Sequence, residues 1–366
     1  MKMPYFAVIG AGNGGQAIAG HLALKGFKVN LYNRTYEKLI PIIQRGGIEL
    51  EGEVEGFGKL NLVTDDISKA VKDVDMILVA VPASAHAMIA EELLPYLQRG
   101  QIVVLNPGRT GGALEVYNIL KKRSDLEVVV AETDTFIYAC RSSNGRAKIY
   151  KIKDIVSVAA IPKDKTEEVV EILNIAFPQF VAAENVLETS FNNFGAIFHP
   201  APTLLNVARI ETTKGNFEYY REGISPSVAK ILEKIDNERM MVAKALGVKT
   251  ISAKRWLKES YNADGDTLYE AIQNTKAYIG LMAPDTVNCR YIFEDVPMSL
   301  VPISSIGKEI GVKTPTIDAI IHLASVMHGK NYWEIGRTAD KLGIRGMSPK
   351  EIIELVEGKR KEVATA

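Results

Sequence analysis

A glycine-rich turn near the start of the chain restricts its fold more than any other feature of the sequence. An apolar strand pattern over residues 5–9 runs directly into this turn, and a helical pattern over residues 16–25 follows it. The turn consists of Gly10, Ala11, Gly12, Asn13, Gly14 and Gly15. Strand, glycine turn and helix in this order form the fingerprint of a dinucleotide-binding βαβ unit.

Three glycines of this fingerprint occupy positions where a side chain would interfere with the turn or with a bound dinucleotide. Gly10 permits the tight turn, Gly12 lets backbone amides reach a pyrophosphate, and Gly15 allows the helix to pack closely on the strand. The first amides of the helix lack intrahelical partners and the peptide dipoles favour negative charge, so an anion can bind there without a basic side chain. We therefore predict that Gly10, Gly12, Asn13, Gly14 and Gly15 bind a dinucleotide.

The residues after the second strand indicate which dinucleotide binds. NAD enzymes usually place an Asp or Glu about 20 residues beyond the glycines, where it binds the ribose hydroxyls. This chain has Asn33, Arg34 and Thr35 after the strand pattern of residues 28–32. Arg34 can pair with a 2′-phosphate while Asn33 and Thr35 donate further hydrogen bonds, which predicts NADP(H) in preference to NAD(H). The alternative is that Arg34 is a solvated loop residue.

Size and composition narrow the class of protein. A chain of 366 residues is long enough for about two domains. Lys plus Arg equals Asp plus Glu at 44 each, so no overall field attracts nucleic acid or an anionic membrane. Two cysteines, no leader pattern and no apolar run long enough to cross a bilayer predict a cytoplasmic protein. We expect small-molecule substrates and no metal site, and we leave a homodimer open.

The order of strand and helix patterns predicts an α/β domain followed by an all-α domain. Residues 1–184 alternate strands and helices, as in a doubly wound, mostly parallel Rossmann sheet, with a small antiparallel excursion over residues 47–63. The apolar strand of residues 75–81 ends at the ligand edge, so Val81 and Pro82 should line the nicotinamide side. Further strands are predicted at residues 101–105, 127–131 and 156–161.

Helical patterns replace the strands from about residue 185. We assign residues 185–366 to a helical substrate domain, with a cleft between it and the cofactor domain. The first pattern, over residues 184–206, is amphipathic and is broken at 199–202, because prolines interrupt a helix. Later helices are predicted at residues 226–246, 316–328 and 349–358, the first with proline at its start and glycine after its end.

A hydride-transfer enzyme needs a proton donor and a cation for the substrate carboxylate. Among the histidines of the second half, His199 lies where prolines break an apolar helix, so its ring can face a cavity. The segment 289–295 adds Arg290, which could clamp a carboxylate, and Asp295, which could hold the imidazole of His199 in one tautomer. The alternative, that Arg290 and Asp295 pair only with each other, stays open on spacing alone.

The helical half resembles a known family. The stretch 186–206, which contains His199-Pro-Ala-Pro-Thr-Leu-Leu-Asn206, and the later motifs at 237–239 and 243–247 closely resemble the octopine/nopaline dehydrogenases, the opine dehydrogenases. The similarity extends over nearly the whole chain. It implies that His199 is the proton donor and acceptor, that Asp295 is its partner and that Arg290 binds the keto-acid carboxylate. It also implies that Cys140 lines the keto-acid site, although a small buried side chain is an equal alternative.

The resemblance implies a reductive condensation. The amine of an amino acid adds to a 2-keto acid, water leaves to give an imine, and NADPH reduces the imine carbon to a secondary amine. Two alternatives are a glycerol-3-phosphate or 2-hydroxy-acid dehydrogenase, disfavoured because no lysine lies in the His199 or Arg290 segments, and a non-enzymatic NADP(H)-binding regulator. The sequence leaves open which amino acid and which keto acid react.

Overall fold

The computed structural model describes residues 3–359, which divide into two compact units. One unit contains the described residues up to Ser190 and those from Glu354 onwards, and the other is Phe191–Ile353. This division differs from the predicted domains 1–184 and 185–366. Residues 354–359 belong to the first unit, where the Glu357 carboxylate lies 3.8 Å from Lys163 Nζ and Gly358 lies against Pro162.

The first unit is built on two sheets. The strands are β1 (Tyr5–Ile9), β2 (Lys28–Tyr32), β3 (Gly47–Gly52), β4 (Gly56–Lys59), β5 (Leu62–Thr64), β6 (Met76–Val79), β7 (Ile102–Leu105), β8 (Val129–Thr133), β9 (Tyr138–Ser143), β10 (Arg146–Ile152), β11 (Val156–Ile161) and β12 (Phe180–Ala182). The main sheet has the order β12-β11-β8-β7-β6-β1-β2-β5. Only the β8–β11 pair in it is antiparallel, which confirms the predicted doubly wound, mostly parallel sheet.

Helices lie between these strands and follow the last of them. Among residues 3–359 they are α1 (Asn13–Leu24), α2 (Ile40–Arg45), α3 (Ile67–Ala70), α4 (His86–Leu93), α5 (Gly112–Leu120), α6 (Thr166–Ala176), α7 (Val186–Phe191), α8 (Gly195–Phe198), α9 (Pro200–Leu205), α10 (Val207–Thr213), α11 (Pro226–Ala245), α12 (Ala253–Tyr261), α13 (Leu268–Asn274), α14 (Arg290–Phe293), α15 (Val301–Glu309), α16 (Pro315–His328), α17 (Tyr332–Ile335), α18 (Ala339–Leu342) and α19 (Pro349–Val356). Shorter 3₁₀ turns lie at Tyr36–Lys38, Ala83–Ala85, Lys163–Lys165 and Lys276–Tyr278, and a π-turn at Val296–Leu300. In the part of the chain that the structure describes, no helix has the length and apolar character needed to span a bilayer.

The second sheet has the order β4-β3-β10-β9. The predicted antiparallel excursion is present as the β3–β4 pair, and the β9–β10 hairpin, which the sequence analysis did not predict, joins it through β3. Helix α1 lies between the two sheets and contacts strands of both. The contact is close, because a Cβ added at Gly20 would lie 2.9 Å from Ile48 Cγ2. The second sheet thus covers the helix that begins at the glycine turn.

The second unit consists of helices. The long predicted helices are present as α11 and α16, each followed by a glycine with positive φ, Gly247 and Gly329. The stretch predicted as one broken helix, residues 184–206, is instead the three short helices α7 to α9, and α10 follows them. The buried Arg239 of α11 pairs with Asp236 at 2.6 Å and donates to the carbonyl groups of Phe191 and Ile251. This arginine therefore fixes the start of the second unit to its longest helix.

Candidate active site

The glycine turn has the geometry that the fingerprint requires. Gly10 has φ of +107°, a conformation that favours glycine, and its amide donates to the carbonyl of Tyr32 at 2.8 Å. A Cβ added at Gly15 would lie only 1.6 Å from the Gly10 carbonyl oxygen. In contrast, a Cβ added at Gly12 would meet no atom within 4 Å, so the space beside Gly12 is open. The turn is therefore tight on its inner side and accessible at the residue expected to approach a pyrophosphate.

Strand β9 is held against the start of α1. The Asn13 side-chain oxygen accepts from the Ser142 amide at 2.8 Å, and the Asn13 carbonyl accepts from the Ser142 hydroxyl at 2.8 Å. The Cys140 thiol donates to the same carbonyl at 3.6 Å. Burial raises the pKa of Cys140 to about 11, so it is a neutral thiol at physiological pH. The structure places Cys140 beside the glycine turn. Its contact with a keto acid stays a prediction.

Asn33 fastens the end of β2 to the glycine turn. Its side-chain oxygen accepts from the Ala11 amide at 3.1 Å, and its side-chain nitrogen donates to the Thr35 carbonyl at 2.9 Å. Arg34 is exposed, and its Nη1 lies 2.9 Å from the Met88 sulfur. Asn33 therefore orders the turn, whereas Arg34 and Thr35 are exposed residues.

Two carboxylates near the end of β2 were not found by sequence reasoning. The Tyr32 hydroxyl donates to Glu92 of α4 at 3.1 Å. Burial, and then the nearby Glu92, raise the pKa of Tyr32 to about 12, with a smaller contribution from Asp65 after β5 and an opposite one from Arg34. Sequence reasoning missed these two acids because Glu92 lies on α4 and Asp65 follows β5, so only the fold brings them close to Tyr32. The region around Tyr32 therefore contains one positive side chain, Arg34, and two negative ones, Glu92 and Asp65.

The end of β6 also meets the glycine turn. A Cβ added at Gly10 would lie 2.7 Å from Val81 Cγ1, so the Val81 side chain packs against the turn. Pro82, the next residue, is exposed. Phe136, from the segment between β8 and β9, packs against Gly14, where an added Cβ would lie 2.7 Å from its ring. Val81 and Phe136 thus border the glycine turn within the first unit. No sequence pattern indicated that Phe136 would lie there.

In the second unit the structure brings His199 and Asp295 together. His199 lies between α8 and α9, where Pro200 begins a new helix, and its Nδ1 is 2.8 Å from Asp295 Oδ2. The Asp295 side chain is 1% exposed and that of His199 is 20% exposed. A buried carboxylate at Nδ1 holds the proton on that nitrogen and stabilises the ring when it is charged. The second ring nitrogen, Nε2, is then the one able to exchange a proton with a substrate.

Two tyrosines that the sequence analysis did not select also hold His199. The ring of Tyr291 stacks on the imidazole, with centroids 4.2 Å apart and planes inclined by 14°. The buried Tyr219 hydroxyl donates to the His199 carbonyl at 2.7 Å, and the Thr203 hydroxyl donates to the same oxygen at 2.8 Å. Both the ring and the backbone of His199 are therefore fixed by contacts within the second unit.

Arg290 has a different partner from the one considered in the sequence analysis. Its Nε and Nη2 lie 2.6 Å and 2.5 Å from the same oxygen of Glu294, four residues later. The alternative that Arg290 and Asp295 pair only with each other is therefore wrong, since Arg290 bonds to Glu294 and Asp295 bonds to His199. The Glu294 side chain is 3% exposed whereas that of Arg290 is 61% exposed. The buried acid thus orients a guanidinium that solvent and small anions can reach.

Two family profiles and a curated relative match this chain. Residues 182–328 match the profile of the NAD/NADP octopine/nopaline dehydrogenase alpha-helical domain, and residues 5–108 match the NAD-binding domain of 6-phosphogluconate dehydrogenase. An opine dehydrogenase of Arthrobacter sp. (strain 1C) is 43% identical over 354 residues, which cover 96% of this chain and 98% of that protein.

Solved structures share the fold over almost the whole length. An octopine dehydrogenase solved with NADH and L-arginine has a TM-score of 0.81 at 21% identity, covering 98% of this chain and 99% of its own. A yersinopine dehydrogenase with bound NADP⁺ has a TM-score of 0.73 at 16% identity, covering 98% of each chain. These structures confirm the predicted combination of a Rossmann domain and an α-helical domain.

Proposed function

Because this chain belongs to the NAD/NADP octopine/nopaline dehydrogenase family, we propose that it is an opine dehydrogenase. It joins the amino group of an amino acid to a 2-keto acid and reduces the resulting imine with a nicotinamide cofactor. The observation that carries this proposal is the 2.8 Å contact between His199 and the buried Asp295, which is an acid–base pair in the helical unit.

The first unit supplies the cofactor site in this proposal. The open space at Gly12 and the tight approach of Gly15 to Gly10 fit a pyrophosphate at the N-terminus of α1. Asn13, Gly14 and Gly15 lie in the first turn of that helix, where backbone amides lack intrahelical acceptors. Val81 and Pro82, at the carboxyl end of the β6 region, are the residues proposed to border the nicotinamide. The bound nicotinamide supplies the hydride for the reaction.

His199 supplies the proton in the condensation step. The amine nitrogen adds to the keto carbon and gives a carbinolamine. Protonated His199 donates its Nε2 proton to the carbinolamine hydroxyl, the C–O bond breaks with its electron pair, and water leaves as the C=N bond forms. Asp295 stabilises the charged imidazole before this transfer and keeps Nε2 directed to the substrate. The nitrogen keeps its proton as the C=N bond forms, so the product of this step is an iminium ion, and a hydride that the bound nicotinamide would supply to its carbon would give the secondary amine.

Arg290 is the proposed cation for the keto-acid carboxylate. Two of its nitrogens share one oxygen of Glu294, so the side chain is oriented without being buried. A planar guanidinium recognises a carboxylate through paired hydrogen bonds. We also propose that Cys140 borders the keto-acid site. Replacement of Arg290 with Gln should mainly raise the KM for the keto acid, and an unchanged KM would contradict its role.

NADP(H) is the preferred cofactor in this proposal. Arg34 follows Asn33, which binds the glycine turn, so its exposed guanidinium can reach the ribose end of the cofactor. The negative charges of Asp65 and Glu92 near Tyr32 act against the binding of a phosphate there. Arg34→Gln should lower kcat/KM for NADPH about 10- to 100-fold and change that for NADH far less, because one charged contact is removed. Arg45→Gln, at an exposed ion pair with Glu49, is the control. Higher kcat/KM with NADH in the wild type would contradict the preference.

An oxidation screen tests the proposed function. NADPH is mixed with pyruvate or another 2-keto acid, with and without each amino acid, and its absorbance is followed. We expect oxidation to require both the keto acid and an amine, and His199→Gln to abolish it while NADPH still binds. The control is His322→Gln, which removes an exposed histidine of α16. Oxidation with a keto acid alone would indicate a 2-hydroxy-acid dehydrogenase, and binding without any oxidation would favour the regulator.

A further inference from the structure

The face of the His199 ring is covered by an aromatic side chain. Tyr291 lies parallel to the imidazole at 4.2 Å, which is the distance of a direct stack. We propose that Tyr291 is a positioning residue for His199, which fixes the plane of the imidazole and favours its protonated form during the condensation. This inference rests on the proposed function, because it assigns a task to the acid of that reaction.

The geometry restrains the imidazole in two perpendicular directions. Asp295 contacts the ring at Nδ1, within the plane of the ring, and Tyr291 contacts its face. Both residues come from one short segment, four positions apart, so the segment acts as a single support. The backbone of His199 is fixed separately through its carbonyl, which accepts from Tyr219 and Thr203. Removal of the Tyr291 ring therefore leaves the hydrogen bond in place but lets the imidazole tilt.

The stack also has an electrostatic effect. An aromatic face carries negative potential and attracts a cation within about 6 Å of the ring centre, so it favours the charged imidazole. The titratable side chains in contact with His199 include Asp295, Tyr291 and Tyr219, and the Cys289 thiol acts electrostatically on Tyr219. Burial raises the pKa of Tyr219 well above its ordinary value and also raises that of Cys289, so both are neutral near pH 7. Asp295 and the Tyr291 ring therefore supply the attraction for the positive charge.

Two substitutions separate the ring from the hydroxyl. Tyr291→Phe keeps the stack, whereas Tyr291→Leu removes it. For the leucine variant we expect kcat of the amine-dependent reaction to fall about 3- to 30-fold, with the KM for NADPH within about twofold of wild type. The pH at which this rate falls to half should move down by roughly half a unit to one unit. The phenylalanine variant should restore both values nearly to those of wild type.

The control removes a stack that does not involve His199. Tyr278 stacks on Tyr220 with centroids 4.0 Å apart, and Tyr278→Leu should leave the pH profile unchanged. Should Tyr291→Leu not fold, Tyr291→Met takes its place, since it keeps an apolar side chain without an aromatic face. Equal losses in the phenylalanine and leucine variants, or a leucine variant with the kcat and pH profile of wild type, would overturn the inference. A wild-type protein without amine-dependent oxidation would instead refute the proposed function.

Discussion

Asp295→Asn is the substitution that most directly separates the charge of the acid–base pair from its shape. The asparagine fits the space of a side chain that is 1% exposed, but it brings no negative charge to the His199 nitrogen 2.8 Å away. Hydrogen bonds to charged groups contribute about 1.5–3 kcal/mol, and the burial of Asp295 protects this one from screening. If that contribution is lost only when the imidazole is charged, kcat should fall about 10- to 150-fold.

The assay compares steady-state rates at saturating NADPH, keto acid and amino acid with the affinity for NADPH measured by fluorescence. We expect kcat to fall while the affinity for NADPH stays within about twofold, since Asp295 belongs to the unit that does not carry the glycine turn. Asp264→Asn is the matched control, because it removes the charge of an exposed aspartate paired with Lys258. A folded Asp295→Asn variant with wild-type kcat would refute the reasoning.

Three further predictions concern other parts of the fold. The Glu238 carboxylate accepts hydrogen bonds from the first two free amides of α16, those of Thr316 and Ile317, at 3.0 Å each. Glu238→Gln removes its charge and should lower the free energy of unfolding by about 1–3 kcal/mol in urea titrations, whereas Glu259→Gln, at an exposed residue, should not. Gly15→Ala should abolish NADPH binding measured by calorimetry because its Cβ meets the turn backbone, and Gly12→Ala should fold but bind more weakly; normal binding in both would contradict the cofactor site. Burial lowers the pKa of His21 to about 4, below its value of about 6.5 in the unfolded chain. The neutral ring therefore contributes to stability above pH 6.5, and this contribution is lost as the pH falls towards 4. Unfolding titrations over this range should show a loss of about 3 kcal/mol in the wild type that is absent from His21→Gln, and an equal loss in the variant would contradict the prediction.

The cofactor unit was predictable because its signals are local. The glycine turn and the apolar strands each depend on residues close in sequence. In the helical unit the same is true of the glycine that follows α11. The same local rules contained two signals that were not used. Asn144-Gly145, between alternating residues, is typical of a two-residue hairpin, and both have positive φ at the β9–β10 turn. Arg290 and Glu294 have the i, i+4 spacing of an ion pair on one helical turn.

The candidate site was predictable only in part. His199 and Asp295 are 96 positions apart, and spacing alone left the partner of Asp295 open; the family resemblance indicated the pair. Tyr219, which fixes the backbone of His199, has no local pattern that distinguishes it from other buried tyrosines. The acids Glu92 and Asp65 likewise reach the end of β2 through the order of strands in the sheet. Long-range contacts of this kind depend on packing, which periodicity does not encode.

Isotope tracing of the product tests the central claim most directly. The protein is incubated with NADPH, a ¹³C-labelled 2-keto acid and a ¹⁵N-labelled amino acid, and the products are separated by mass spectrometry. We expect one secondary amine that contains both labels, formed by the wild type and not by His199→Gln. Formation of a ¹³C-labelled hydroxy acid, with the ¹⁵N label left entirely in the unreacted amino acid, would contradict the account.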